Sequence, residues 1–373
     1  MKHAMVVYGT RPETIKLAPV VQKLRKSKHF RTTLVVTAQH REMLDQMNKV
    51  FGLKPDIDLD LMRERQTLWD LTALVIEKMV AVYRSTQPDV VIVQGDTTTA
   101  FVSALAAFYL KIPVAHVEAG LRSGNIYSPF PEEVNRRLIG VVTSYHFAPT
   151  ERARQNLFHE GIRENVWVTG NTVVDALLWL MEAKEHLLDE CFRKLLNGTS
   201  DVGKIVLLTM HRRENWGEPM RRVFQMLKDL LLRRNDLLLV YPVHPNPVVK
   251  DLAHEIFQGV KNALLTSPLD YPTLVSVMMN AHLIMTDSGG IQEEAPTFKK
   301  PVLVLRDTTE RPELIESGAG KLVGTDPSVI LEELEKLLDD EAYYERFRAT
   351  ENPFGDGKAS ERIVDILEKK ISE

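Results

Sequence analysis

AMVVYG (4–9) followed by TRPETIKLAPVVQKL (10–24) reads as an apolar run, a glycine, then apolar residues at helical spacing. That is the signature of a buried strand turning tightly into a helix. Pro12 fits the first helical turn, where its missing N–H leaves nothing unsatisfied. The same unit recurs along the chain. TLVVTA (33–38), DVVIVQG (89–95), PVAHVEAG (113–120), YHFAP (145–149) and VWVTG (166–170) are separated by helical stretches. A second series follows: KIVLLTMH (204–211), LLLVYPVH (237–244), ALLTSP (263–268), HLIMTDSGG (282–290), PVLVLRD (301–307) and GKLVGTD (320–326). Strands covered by helices on both sheet faces read as continuous apolar runs, so the pattern predicts an α/β protein with two parallel, Rossmann-like sheets. The expected domains are 1–170 and 171–355. The stretch 171–196, with Val174, Leu177, Leu178, Met181, Leu187 and Leu188 as its apolar positions, is expected to be one helix joining them. The break ENPFGDGKAS (351–360) is expected to return a last helix, 356–373, to the first domain.

A chain of 373 residues suits two such domains, at roughly 100–200 residues each. The balance of 47 basic and 51 acidic residues provides no global field to recruit nucleic acid or an anionic membrane. A polyanionic ligand therefore needs a local basic pocket. One cysteine, Cys191, excludes an internal disulfide and is read as an inert structural thiol. The first apolar run is too short for a signal peptide, and 99–110 falls well below the roughly 20 residues of a membrane span. A cytoplasmic location is expected.

Ligands of open α/β sheets bind where strands end, and there the polar residues cluster. In GTRPE (9–13), Arg11 stands at a helix amino terminus with Lys16 about a turn further on, a combination suited to phosphate oxygens or to an ordinary βα turn. DSGG (287–290) places Ser288, Gly289 and Gly290 before IQEEA, so backbone N–H groups could approach a diphosphate. Either Glu293 or Glu294 could accept from ribose hydroxyls, or both could merely complement the helix dipole. Asp96 and Glu118 directly follow apolar strands, and Glu132 opens a helix after Pro131. Three carboxylates on one expected rim suit removal and delivery of a proton on opposite faces of a ring carbon. In the second domain His211 and His244 end strands, and Arg212, Arg213 and Arg311 add positive charge on that rim. No GxGxxG, GxxxxGK[ST] or HExxH occurs, so no dinucleotide cofactor and no metal is expected.

GTRPE, TAQHREMLDQ (37–46), GDTTTA (95–100), HVEAGLRS (116–123), PFPEE (129–133), TGNTVVDAL (169–177), HRREN (211–215), DSGGIQEEAP (287–296) and RDTTERPE (306–313) together resemble the bacterial non-hydrolysing UDP-N-acetylglucosamine 2-epimerase family. The resemblance spans essentially the whole chain. It implies a GT-B type of two Rossmann-like domains facing across a cleft, a homodimer, and UDP-N-acetylglucosamine and UDP as ligands. It also implies a role in supplying N-acetylmannosamine units to surface polysaccharide. Position by position it implies acid/base roles for Asp96, Glu118 and Glu132, with His211 beside the diphosphate. Nucleotide and phosphate contacts would be Arg11, Lys16, Arg212, Ser288, Gly289, Gly290, Glu294 and Arg311. Some members bind a second UDP-N-acetylglucosamine as activator, for which Gln39, His40 and Arg65 could serve, with His244 a further candidate. Glu42 stands where some of those members carry glutamine. The implied route removes UDP to give 2-acetamidoglucal and returns it after protonation from the other face. A hydrolysing 2-epimerase and a GT-B glycosyltransferase are the alternatives.

Overall fold

The computed structural model describes residues 1–37, 41–61, 66–197 and 203–372. The chain divides into two compact units, Met1–Leu180 with Phe354–Glu373, and Met181–Pro353. The first contains β1 (Lys2–Tyr8), β2 (Phe30–Val36), β3 (Ile57–Asp58), β4 (Val90–Gln94), β5 (Val114–Val117), β6 (Tyr145–Ala148) and β7 (Val166–Val168). They form one sheet in the order β3-β2-β1-β4-β5-β6-β7. The second contains β8 (Lys204–Thr209), β9 (Leu237–Pro242), β10 (Ala263–Thr266), β11 (Leu283–Thr286), β12 (Val302–Val304) and β13 (Gly320–Leu322), in the order β10-β9-β8-β11-β12-β13. Every strand pairing is parallel.

The runs read from sequence are thus strands, and the first sheet gains an edge strand the reading lacked. β3 has two residues, Ile57 and Asp58, paired with Val35 and Val36. Too short and half polar, it leaves no apolar run to recognise. In β1 the side chains from His3 to Tyr8 are all buried, as helices on both faces require. Met5 and Val7 join Val91 and Val93 against Leu71, Val75 and Met79 of the helix Leu68–Thr86. In the second unit Leu208, Tyr241 and Met285 pack with Phe224 and Leu227 of the helix Glu218–Arg233.

The stretch 171–196 is two helices, Thr172–Ala183 and Glu185–Leu196, in place of the single one expected. The break is at Lys184, whose backbone leaves the helical region at φ −133° and ψ 24°. The apolar spacing continues across the break, which is why periodicity alone does not show it. The unit boundary lies within the first of these helices, ten residues beyond the 170/171 division read from sequence. The last helix, Ala359–Ser372, belongs to the first unit. Its amino terminus is held by buried Asp175, which accepts from the N–H groups of Ala359 at 3.2 Å and Ser360 at 2.7 Å and from the Ser360 hydroxyl.

In each sheet the order reverses once, between β1 and β4 and between β8 and β11. Those reversals open crevices at the carboxyl ends of the strands. The loops there are GTRPE and GDTTTA in the first unit, MHRREN (210–215) and DSGG in the second.

Candidate active site

The first-unit rim begins with a buried carboxylate absent from the sequence-based candidates. Glu13 Oε2 accepts from the N–H groups of Gly9 at 2.8 Å and Thr10 at 2.7 Å, and its Oε1 accepts from Thr97 Oγ1 at 2.6 Å. Burial pushes its carboxyl above the usual range, and those donors oppose the shift. Glu13 therefore ties the loop after β1 to the loop after β4, one residue past Asp96. Its spacing from Thr10 is that of a capping box, the signal by which sequence could have found it. Arg11 opens the same helix, and its side chain makes no hydrogen bond or ion pair among the described residues.

Gly95, with φ +72°, makes the turn that leads from β4 to Asp96. The Asp96 carboxylate accepts from Arg136 Nε at 2.8 Å and lies 2.7 Å from Arg136 Nη2, while its backbone carbonyl accepts from Asn135 Nδ2 at 2.9 Å. Asn135 and Arg136 lie three and four residues after Glu132 on the helix Glu132–Val142, so all three share one helix face. Glu132 is thereby brought to the Asp96 side of the rim, partly exposed and without an ion pair among the described residues. The next residue, Glu133, is buried and accepts from Ser123 N–H at 2.9 Å and from Arg136 and Arg137.

Glu118 adopts φ +68°, a left-handed backbone that costs a non-glycine residue about 1–3 kcal/mol. Its Oε2 accepts from Lys16 Nζ at 2.6 Å and from Gln94 Nε2. Lys16, implied by resemblance as a phosphate contact, thus holds a carboxylate here. Beneath the rim, buried His116 donates from Nε2 to the Gly95 carbonyl at 2.8 Å. Burial pulls its pKa down to about 3, and that of His146, its partner on β6, to about 4.

The second-unit rim carries cations. Gly289 opens the short helix Gly289–Glu294, and a Cβ there would stand 3.7 Å from Arg212 Nη2 and 3.6 Å from Arg311 Cζ. Two guanidinium groups therefore converge on a glycine whose bare backbone leaves room beside them. The Ser288 hydroxyl makes no capping bond, and its N–H donates to Thr286 Oγ1 at 2.9 Å. Gly290 has open space except for Ser288 Oγ at 3.9 Å from a Cβ position. Glu293 is buried against Arg311, Oε1 to Nε 2.6 Å, so the half-exposed acidic residue of the pair is Glu294. Arg213 lies over the Trp216 ring at 5.9 Å.

His211 and His244 stack, with ring centroids 5.6 Å apart and planes 11° from parallel. Asp287, fully buried, accepts from the N–H groups of His211 at 2.9 Å and Arg212 at 2.8 Å and from Asn215 Nδ2 at 3.0 Å. Gln39, His40 and Arg65 lie outside the described residues. Among the described residues no group of three or more His, Cys, Asp or Glu is placed to hold a metal ion. No helix among them is long and apolar enough to cross a membrane.

Two all-parallel sheets of one strand order, with Asp96 and Glu118 at one switch point and Arg212 and the Ser288–Gly290 turn at the other, define a GT-B-like α/β protein. The profile of the family described as UDP-N-acetylglucosamine 2-epimerase matches residues 22–368. The UDP-N-acetylglucosamine 2-epimerase of Escherichia coli K12 is 47% identical over 367 residues, covering 97% of each chain. The Neisseria meningitidis UDP-GlcNAc 2-epimerase, solved bound to UDP-GlcNAc, is 44% identical with a TM-score of 0.90, covering 99% of this chain and 100% of that one. The Methanocaldococcus jannaschii UDP-GlcNAc 2-epimerase, solved with UDP-GlcNAc and UDP, is 37% identical with a TM-score of 0.79, over 98% and 99%. The chain belongs to the UDP-N-acetylglucosamine 2-epimerase family.

Proposed function

We propose that this protein interconverts UDP-N-acetylglucosamine and UDP-N-acetylmannosamine without hydrolysis or added cofactor. The carrying observation is the rim on which Glu132 stands unpaired on the helix face that holds Asp96, with Glu118 on the adjacent strand end. The hydrogen on carbon 2 is not next to a carbonyl, so direct deprotonation is not a practical route. In our reading one carboxylate takes that proton while the bond from carbon 1 to oxygen breaks and its electron pair leaves with UDP. The product is 2-acetamidoglucal. A carboxylate on the other face then protonates carbon 2 as UDP returns to carbon 1, and atoms and charge balance over the cycle. In the second unit Arg212, Arg311 and the Ser288–Gly290 turn keep the departing UDP available for return.

The test is incubation with UDP-N-acetylglucosamine alone in deuterated water, with no NAD or metal. UDP-N-acetylmannosamine carrying one deuterium at carbon 2 is the expected product. Free N-acetylmannosamine with UDP would indicate the hydrolysing reaction, and turnover only with an added acceptor a glycosyltransferase.

We also read the protein as a cytoplasmic homodimer supplying N-acetylmannosamine units to surface polysaccharide. Support for the dimer is an apolar patch on the packed helices Thr98–Tyr109 and Glu132–Val142, where Tyr109 is 61% and Val141 76% exposed beside Phe108 and Leu138. Val141→Glu is expected to convert a sedimenting dimer to monomer.

A further inference from the structure

Asp287 has an asymmetric set of partners. All three donors, His211 N–H, Arg212 N–H and Asn215 Nδ2, fall on Oδ2. Oδ1 is buried, has no hydrogen-bond partner, and lies 3.3 Å from Nδ1 of the His211 ring. One carboxylate oxygen thus holds the loop while the other faces an imidazole whose opposite corner, Nε2, points away from Asp287. The residue is held at two further points. Its own backbone carbonyl accepts from Trp216 Nε1 at 3.0 Å, and its face lies against His244, whose Nδ1 accepts from Asn246 N–H at 3.2 Å.

We infer that Asp287 is a positioning residue that keeps a proton on Nδ1 of His211 and lets the ring take up a second proton on Nε2 when the diphosphate binds. This rests on the epimerase reading above. A neutral imidazole facing a carboxylate through Nδ1 offers a lone pair at Nε2, which an anionic diphosphate would repel. Protonation from solvent converts that corner into a donor, and the carboxylate behind the ring stabilises the imidazolium it creates. The proton is returned to solvent when UDP leaves, and no carbon bond is involved.

The charged and titratable groups facing His211 are Asp287, Arg212 and His244, with Arg311 converging on the same glycine. Burial holds the ring pKa below its ordinary value; Asp287 opposes that, while Arg212 and His244 add to it. The free ring is therefore neutral at neutral pH, and an arriving dianion supplies the missing negative charge. Removing the Asp287 charge lowers the pKa further and leaves the ring neutral even with UDP bound.

Asp287→Asn separates the two oxygens' roles, since its carbonyl can keep the three loop donors and its NH2 replaces Oδ1. In the ligand-free full chain, 15N spectra of the histidine rings near pH about 8 are expected to show His211 as the Nδ1–H tautomer and the variant as the Nε2–H tautomer. Titration calorimetry with UDP in two buffers of different ionisation enthalpy should show uptake of most of one proton in the wild type and nearly none in the variant. Turnover should fall by on the order of 10² or more. In a His211→Gln background, Asp287→Asn should add less than about twofold, because a residue acting through the ring has nothing left to act on. An unchanged tautomer in the variant overturns the inference, as does UDP binding to the wild type without proton uptake. A full multiplicative loss in the double variant, or a variant that loses its thermal transition, assigns Asp287 a structural role and also overturns it. The epimerase reading survives all of these and falls only on the product analysis.

Discussion

The two units use one strand order for opposite chemistry. In the first, the loops after β4 and β5 deliver Asp96 and Glu118, and each carboxylate meets a cation of its own unit, Arg136 or Lys16. In the second, the loops after β8 and β11 deliver Arg212 and the glycine turn, where Arg212 has no acidic partner among the described residues and Arg311 has buried Glu293. The sheet supplies only the place; the loop residues supply the sign. In our reading the carboxylates of the first rim serve proton transfer, and the guanidinium of Arg212 beside bare backbone serves an external anion.

This division predicts different damage on the two rims. Asp96→Asn, Glu118→Gln and Glu132→Gln should each lower epimerisation by about 10² to 10⁴ while UDP affinity stays within a few-fold. Glu132→Gln is the sharpest of the three. Its carboxylate supports no ion pair, so activity should collapse with an unchanged melting temperature. Asp96→Asn, by contrast, weakens a half-buried pair with Arg136 and should also lose some stability. Equal loss of stability in Glu132→Gln, with turnover intact, would make the rim a structural device. On the other rim Arg212→Ala should weaken UDP binding by about 1.5–3 kcal/mol, the contribution of a charge-assisted hydrogen bond. Calorimetric titration checks this, and Ser288→Ala should follow in the same direction with a smaller loss. Unchanged UDP affinity in Arg212→Ala would break the assignment of the second rim.

Most of this architecture was legible in sequence because buried parallel strands leave apolar runs and ligand loops leave glycine and charge at their ends. The twelve apolar runs of the sequence are strands, and the one further strand among the described residues, Ile57–Asp58, is too short to carry a pattern. The Lys184 break escaped because helical periodicity continues across it. At the site, residue types were legible and partnerships were not. Nothing in the spacing of Lys16 and Glu118, separated by 102 positions, announces their contact. The positive φ of Glu118 has no sequence signal either, since glycine is the usual marker of that conformation. Glu13 was readable from its capping-box spacing, but its bond to Thr97 depends on β1 and β4 being neighbours in the sheet, which only topology shows.

Acid should distinguish the units by a smaller effect, on stability. His116 and His146 are buried neighbours on β5 and β6, with pKa values pulled down to about 3 and about 4 by burial. A histidine with a depressed folded pKa binds fewer protons folded than unfolded, so stability is full above the unfolded value, about 6.5, and falls as pH drops toward the folded pKa. In the second unit His211 and His282 shift in the same direction but are less completely buried. These two histidines should therefore cost the first unit stability between about pH 6.5 and pH 4, at up to about 1.36 kcal/mol per pH unit each, offset in part by Glu13 and Asp175, whose carboxyls burial raises and which take up protons in the folded state. Three of the four tryptophans, Trp69, Trp167 and Trp179, lie in the first unit, so Trp216→Phe makes fluorescence report that unit alone. Its melting temperature should fall with acid more steeply than the hydrogen-exchange protection of the second sheet. Because His116 Nε2 holds the Gly95 carbonyl, protonation there also reaches the loop that carries Asp96. His116→Gln, which can still donate to that carbonyl without titrating, should flatten the acid slope by about one proton and keep activity near pH 7. If the slope is unchanged, or if the second unit melts first, the acid sensitivity lies elsewhere than in the histidines beneath the carboxylate rim.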